Sequence, residues 1–150
     1  MKKFRFSLET VLDYKQQVLD SLQAEHGAIL AQVKRQEDLI ERLEADYRAL
    51  SGEFNQRKLE GLSVLDAMKY EQYLRSSERQ LEEAHRHLAE LRRQEEAKRS
   101  EVVEAKKETS SIEKLREKKL DIYNKAVQKS EENLIDEFVM TKRAMEAQSA

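Results

Sequence analysis

The chain contains no proline, and an apolar residue recurs every three or four positions along most of its 150 residues. A proline-free sequence with this spacing favours helices much longer than those of an ordinary globular domain. The clear interruption is the stretch 59–66, Leu-Glu-Gly-Leu-Ser-Val-Leu-Asp. Gly61 can adopt the positive φ that ends a helix. Ser63 is a candidate N-cap for a second helix, as Ser7 is for the first. The sequence therefore predicts helices over about 7–58 and 64–146, joined by a turn at about 59–63.

Within each predicted helix, apolar residues follow alternating steps of four and three, the repeat of a left-handed coiled coil. The seam of the first helix is Leu8, Leu12, Lys15, Leu19, Leu22, His26, Ile29, Val33, Gln36, Ile40, Leu43, Tyr47, Leu50 and Phe54. The seam of the second is Ala67, Tyr70, Leu74, Ser77, Leu81, Ala84, Leu88, Leu91, Glu95, Lys98, Val102, Ala105, Thr109 and Ile112. Beyond Ile112 the stripe continues one residue out of phase, at Leu120, Tyr123, Val127, Ser130, Leu134, Phe138 and Thr141.

A turn at about 59–63 places the two seams opposite each other in an antiparallel pair. Val33 then faces Leu88, and His26 faces Glu95, so two polar seam residues share a layer that can specify the register. The predicted fold is all-α: a long antiparallel two-helix coiled-coil hairpin that forms a single domain over residues 1–150. Since Leu8 faces Ile112, residues 113–146 are expected to overhang as a helix whose bare apolar stripe requires a partner.

The 28 basic and 30 acidic residues are intermixed, so neither nucleic acid nor an anionic membrane is an expected partner. Without cysteine there is no thiolate chemistry, and no apolar run is long enough to cross a membrane. We therefore expect a soluble cytoplasmic protein with no direct membrane insertion. Enzymes need a concave site, which a two-helix rod does not offer, and no catalytic residue or cofactor is expected. His85 and His87 are two residues apart and do not share a helix face, so no metal site is expected either.

Two features allow both a functional and an ordinary interpretation. The basic residues from Lys114 to Lys119 could form a docking patch for an acidic surface, or an ordinary helix face balanced by neighbouring acids. Tyr47 and Tyr70 lie on the seam and are best interpreted as core. Tyr73 lies one residue off the seam, where it is an exposed anchor for another protein or a chance occurrence.

The two ends of the chain resemble the FliJ family of the bacterial flagellar protein-export apparatus. The first end reads Phe4-Arg5-Phe6-Ser7-Leu8-Glu9-Thr10-Val11-Leu12, similar to the family's aromatic–basic–aromatic opening and its Leu-x-x-Val-Leu run. The second end contains Leu115-x-x-Lys118, Tyr123, Glu131-Glu132 and Asp136-Glu137, similar to the family's Leu-x-x-Lys, Tyr and Glu…Asp-Glu pattern.

This resemblance implies a non-enzymatic stalk, similar to the antiparallel coiled coil of the rotary ATP synthase gamma subunit. The implied partners are a hexameric export ATPase, whose assembly the stalk favours, the export gate membrane protein, and export chaperones. The implied location is the cytoplasm, peripheral to the inner-membrane export apparatus. The stalk of a virulence-type secretion system and a purely structural coiled-coil scaffold remain alternatives, and an enzyme is a disfavoured third class.

We assign docking residues to the two implied contacts as hypotheses. The residues expected to dock on the ATPase are Phe6, Leu8, Leu12, Lys15, Leu115, Leu120 and Tyr123. The residues expected to dock on the gate are Tyr47, Tyr70, Tyr73 and Leu74.

Overall fold

The computed structural model describes residues 2–149, and those residues contain two α-helices and no β-strand. Helix α1 is Glu9–Glu60, with 52 residues, and helix α2 is Val64–Gln148, with 85 residues. The two helices pack against each other, which confirms the prediction of an all-α helical hairpin.

The turn between α1 and α2 has the backbone chemistry expected from its sequence. Gly61 has a φ of 103°, a conformation that residues with a Cβ rarely adopt. The Asp66 N–H donates a hydrogen bond of 3.2 Å to Ser63 Oγ, so Ser63 caps α2 as predicted. Arg57 and Lys58 lie in the last turn of α1, where the helix dipole favours positive charge.

The start of α1 differs slightly from the prediction. The Leu12 N–H donates to the Leu8 carbonyl at 2.8 Å, and the Glu9 N–H donates to the Phe6 carbonyl at 3.2 Å. Because the N-cap residue is the one whose carbonyl accepts the first helical bond, Leu8 occupies the N-cap position that was predicted for Ser7.

Contacts divide the chain into two units. The hairpin unit is Asp20–Val103, and the terminal unit combines Met1–Leu19 with Glu104–Ala150. The core of the hairpin unit is a cluster of Ile40, Ala84 and Leu88, against which Val33, Leu43 and Leu81 pack. Val33 and Leu88 therefore lie in one cluster, as the predicted register requires. That residues 1–150 form a single domain stays a prediction.

The predicted seams are the faces that the two helices bury. Each predicted position from Leu8 to Phe54 on α1, and each from Ala67 to Ile112 on α2, is buried or half-buried. The hydrophobic period thus identifies the packed face of both helices.

The predicted start of the unpaired overhang, at residue 113, is wrong, because the paired part of α2 extends farther along the chain. Arg116 forms an ion pair with Glu9, and Tyr123 contacts Lys2 and Phe4, so pairing in the terminal unit continues well beyond Ile112. The displaced stripe is half-buried as far as Ser130, whereas all side chains from 131 to 149 are exposed. The error arose because the residues before α1, which are not helical, were not expected to pack on α2.

Candidate functional site

Residues 2–8, here called the strap, run along α2 in the terminal unit. Side chains alternate along it, as in any extended segment: Phe4 is half-buried and Phe6 is only 9% exposed, while Lys3 and Arg5 point to solvent. The Phe4 ring centroid lies 5.6 Å from that of Tyr123, and the Tyr123 hydroxyl donates to the Lys2 carbonyl. The packing of Phe4 and Phe6 and the hydrogen bond from Tyr123 thus hold the strap on α2.

Arg116 links the strap to the beginning of α1. Its Nε lies 2.9 Å from Glu9 Oε2, and its guanidinium carbon lies 5.7 Å from the Phe4 ring centroid. Sequence reasoning did not predict that Arg116 would be part of the packed face. The stripe advances eleven residues from Thr109 to Leu120, and this spacing could have indicated it. A stripe with that longer period passes through Arg116 rather than Leu115, because 11 residues make about three turns of an α-helix.

The terminal unit contains all seven residues that were assigned to the ATPase contact. Phe6 is buried, and Leu115 is 37% exposed and faces solvent. The other five are half-buried against the paired segments: Leu8, Leu12, Lys15, Leu120 and Tyr123. The structure therefore places the predicted set in one unit, where six of the seven side chains are buried or half-buried.

Lys15 pairs the two segments of the terminal unit through its ammonium group. Lys15 Nζ lies 2.8 Å from Glu108 Oε2, and this hydrogen bond raises the pKa of the Lys15 ammonium. An open groove beside the strap is lined by Lys2, Lys3, Phe4, Arg5 and Tyr123.

The four residues assigned to the gate contact lie in the hairpin unit, close to the turn. The Tyr47 hydroxyl donates to Glu78 at 2.9 Å, which raises the pKa of Tyr47. The Tyr70 ring stacks on Phe54 with centroids 5.0 Å apart. Leu74 is half-buried as well. Tyr73, by contrast, is 65% exposed, so it is the member of the set that is most available to another protein.

Exposed apolar residues near the turn were missed by sequence reasoning. Leu59, Val64, Leu65 and Met68 all lie mainly in solvent. The sequence could have indicated their exposure, because they are apolar residues that fall between seam positions.

A polar layer lies inside the hairpin unit where the predicted register places it. His26 Nε2 is 2.9 Å from Glu95 Oε1, and Arg99 donates to both oxygens of the same carboxylate. Glu95 is only 8% exposed, and the hydrogen bonds from His26 and Arg99 lower its pKa. Arg99 lies on the same helix as Glu95, so only the bond to His26 depends on the alignment of the two helices.

The histidine pair on α2 has an ordinary surface environment. His85 Nε2 lies 3.7 Å from Glu44 Oε1 on α1. Within residues 2–149 no group of three metal-ligating side chains is arranged around a common point. In the same part of the chain neither helix has a stretch apolar and long enough to span a bilayer.

Two long helices packed along seams with alternating steps of four and three define an all-α, coiled-coil class of protein. The family model for the flagellar FliJ protein matches residues 4–147. The chain therefore belongs to the FliJ family, which places it in the flagellar protein-export apparatus and confirms the resemblance seen at its two ends. This family is of a structural or chaperone type and is not a known enzyme family. Comparisons with curated proteins and with solved structures gave no match.

Proposed function

We propose that the chain is a non-enzymatic stalk that binds the hexameric export ATPase, promotes its assembly, and couples it to the export gate membrane protein and to export chaperones. It would act in the cytoplasm, peripheral to the inner-membrane export apparatus. The observation that carries this proposal is the match of the FliJ family model to residues 4–147. The candidate residues also fall into two groups. All seven ATPase-docking residues belong to the terminal unit, and all four gate-docking residues belong to the hairpin unit.

Exposed apolar side chains in the terminal unit support docking on the ATPase. Leu115 is exposed, and farther along α2 the side chains of Leu134, Ile135 and Phe138 lie mainly in solvent. Apolar surface of this extent on one helix is typical of a protein–protein contact. A stalk whose sides differ in apolar and charged residues would make different contacts with each of the six equivalent ATPase subunits. Through these differences it could favour one conformation of the ring over another.

Docking on the gate would use the turn side of the hairpin unit. Tyr73 is exposed there, together with Leu59, Val64 and Met68. Tyrosine is enriched among the residues that dominate binding energies, because its ring supplies apolar area and its hydroxyl a hydrogen bond.

Mixing the full chain with purified flagellar export ATPase tests the first contact. The wild type should increase hexamer formation in sedimentation and raise the hydrolysis rate. Leu115→Glu should abolish both effects while the chain stays helical, because Leu115 is the most exposed of the seven docking residues and glutamate is a good helix former. Leu30→Glu, at an exposed position in the hairpin unit, is the matched control and should behave as the wild type. No effect of the wild type would contradict the proposal.

The gate contact is tested with the immobilised cytoplasmic portion of the export gate protein. Tyr73→Ala should weaken capture by the gate and leave ATPase assembly intact. If Tyr73→Ala instead lost the effect on ATPase assembly and kept gate binding, the two docking assignments would be reversed. Sedimentation of the chain alone addresses the structural-scaffold alternative, since a hairpin monomer has a mass of 17.7 kDa and an extended dimer has twice that mass.

A further inference from the structure

The residues assigned to the ATPase contact are largely covered within the terminal unit. Phe6 on the strap is buried, and Tyr123 on α2 is half-buried beside Phe4. Farther along the same helix, Leu134 and Phe138 are exposed. The strap therefore covers part of a stripe on α2 whose continuation is bare.

We propose that the strap opens when the export ATPase binds, and that its closed position limits access to the docking residues Phe6, Leu120 and Tyr123. This inference rests on the proposed function, and it adds a regulatory element to the same site. In the closed state the strap competes with the ATPase for one face of α2. The apparent affinity is then reduced in proportion to the fraction of molecules whose strap is open.

The contacts of the strap are of the kind that opens locally. Residues 2–7 precede the first helical hydrogen bond of α1, which the Leu8 carbonyl accepts. They are held by Phe4, which also contacts the Arg116 guanidinium, by Phe6, and by the bond from Tyr123 to the Lys2 carbonyl. Segments with few buried apolar contacts open at a small fraction of the global unfolding free energy. Arg116 holds Glu9 at the start of α1, so opening can stop there and leave the helices paired.

The Tyr123 hydroxyl provides a specific way to loosen the strap. Tyr123→Phe keeps the aromatic ring for packing and for docking but removes the donor to Lys2. The net contribution of one such hydrogen bond corresponds to a change of about 2- to 10-fold in the opening equilibrium. Tyr14→Phe is the matched control, because Tyr14 is an exposed tyrosine of α1 that lies outside the docking set.

Alkylation of a single cysteine measures the strap in the chain alone. The protein has no cysteine, so Leu120→Cys and Tyr14→Cys each introduce one reactive site and leave Phe4 and Phe6 in place; modification is followed by the mass of the chain. We expect slower alkylation at position 120 than at position 14, and a roughly 2- to 10-fold increase at position 120 when Tyr123→Phe is added. Equal rates at the two positions, or no effect of Tyr123→Phe, would overturn the inference.

Binding to the ATPase ring then tests opening as part of docking. Tyr123→Phe should bind about 2- to 10-fold more tightly than the wild type, and Tyr14→Phe should bind as the wild type does. Unchanged or weaker binding by Tyr123→Phe would overturn the inference and leave the proposed function standing. Absence of binding by the wild type would instead contradict the proposed function, and the role of the strap with it.

Discussion

Replacement of Leu88 by alanine should destabilise the hairpin unit strongly. Leu88 is 7% exposed and belongs to the core cluster with Ile40 and Ala84, where Val33 packs against it. Leu30 is the matched control, since it is a leucine of the same unit with 46% of its surface exposed. Both substitutions place a strong helix former in a helix, so propensity does not separate them.

The expected magnitude follows from the apolar groups that each substitution removes. Shortening Leu to Ala deletes about three carbon groups at roughly 0.8 kcal/mol each, or about 2.4 kcal/mol for Leu88. A pair of helices has no second layer behind its core, so the cavity opens to water, and the loss stays near the lower end of the roughly 2–5 kcal/mol found for buried leucines. Leu30 is already about half exposed in the native state, so Leu30→Ala loses only about half of this transfer free energy.

Thermal and urea unfolding, followed by helical circular dichroism, measure this difference. For a unit of this size about 1 kcal/mol corresponds to roughly 4–8 °C, so Leu88→Ala should lower the midpoint by about 10–20 °C. Leu30→Ala should lower it by about half as much or less. Equal shifts for the two variants would refute the burial of Leu88 in the seam, and so would refute the register on which the pairing is based.

Three further predictions concern the polar layer and the turn. His26→Leu should lower the unfolding midpoint, because Glu95 would then face an apolar layer; a thermal melt without loss would contradict the observed register. The pKa of Glu95 is held below its ordinary value of 4.5 by hydrogen bonds from His26 and Arg99. Its contribution to stability is therefore present above that value and is lost as the pH falls through the lowered pKa. Glu95→Gln should reduce the difference between urea midpoints measured at about pH 7 and about pH 3, and an unchanged difference would count against this role. Gly61→Ala should cost about 1–3 kcal/mol because of its positive φ, whereas Gly52→Ala, in a helix interior with open space around it, should gain up to about 1 kcal/mol. Changes of the same sign in urea unfolding would contradict the assigned backbone conformations.

The helices, the turn and the buried faces could be predicted from the sequence because each depends on local chemistry. Gly61 and Ser63 determine where one helix ends and the next begins, and the period of the apolar residues determines which face is buried. The register followed from these two facts together with the pairing of His26 and Glu95, which lies where a turn at about residue 60 requires.

The strap could not be predicted in the same way. Phe4 and Phe6 precede α1, so helical periodicity does not apply to them, and their burial depends on long-range contacts with α2. Arg116 was overlooked for a related reason. An arginine in a seam position looks like a surface residue until a carboxylate, here Glu9, is known to lie opposite it. The two docking assignments stay predictions, because a contact between chains depends on a partner that the sequence of one chain does not describe.

The polar residues of the α1 seam indicate how one alignment of the hairpin is selected. Lys15 binds Glu108, His26 binds Glu95, and the Gln36 amide donates to the Ala84 carbonyl at 3.0 Å.

Apolar layers alone would discriminate weakly against a slip of one heptad, since aliphatic residues of similar volume replace one another at a cost below about 1.5 kcal/mol. A slip that brings His26 opposite Val102 also brings Glu95 opposite Val33, so the carboxylate loses its donor on α1 and keeps only Arg99 on its own helix. Because a buried polar group that loses a hydrogen-bond partner costs about 1–3 kcal/mol, the slipped alignment is disfavoured more than its apolar contacts suggest. The polar layer therefore contributes to the specificity of the register more than to the strength of the pairing.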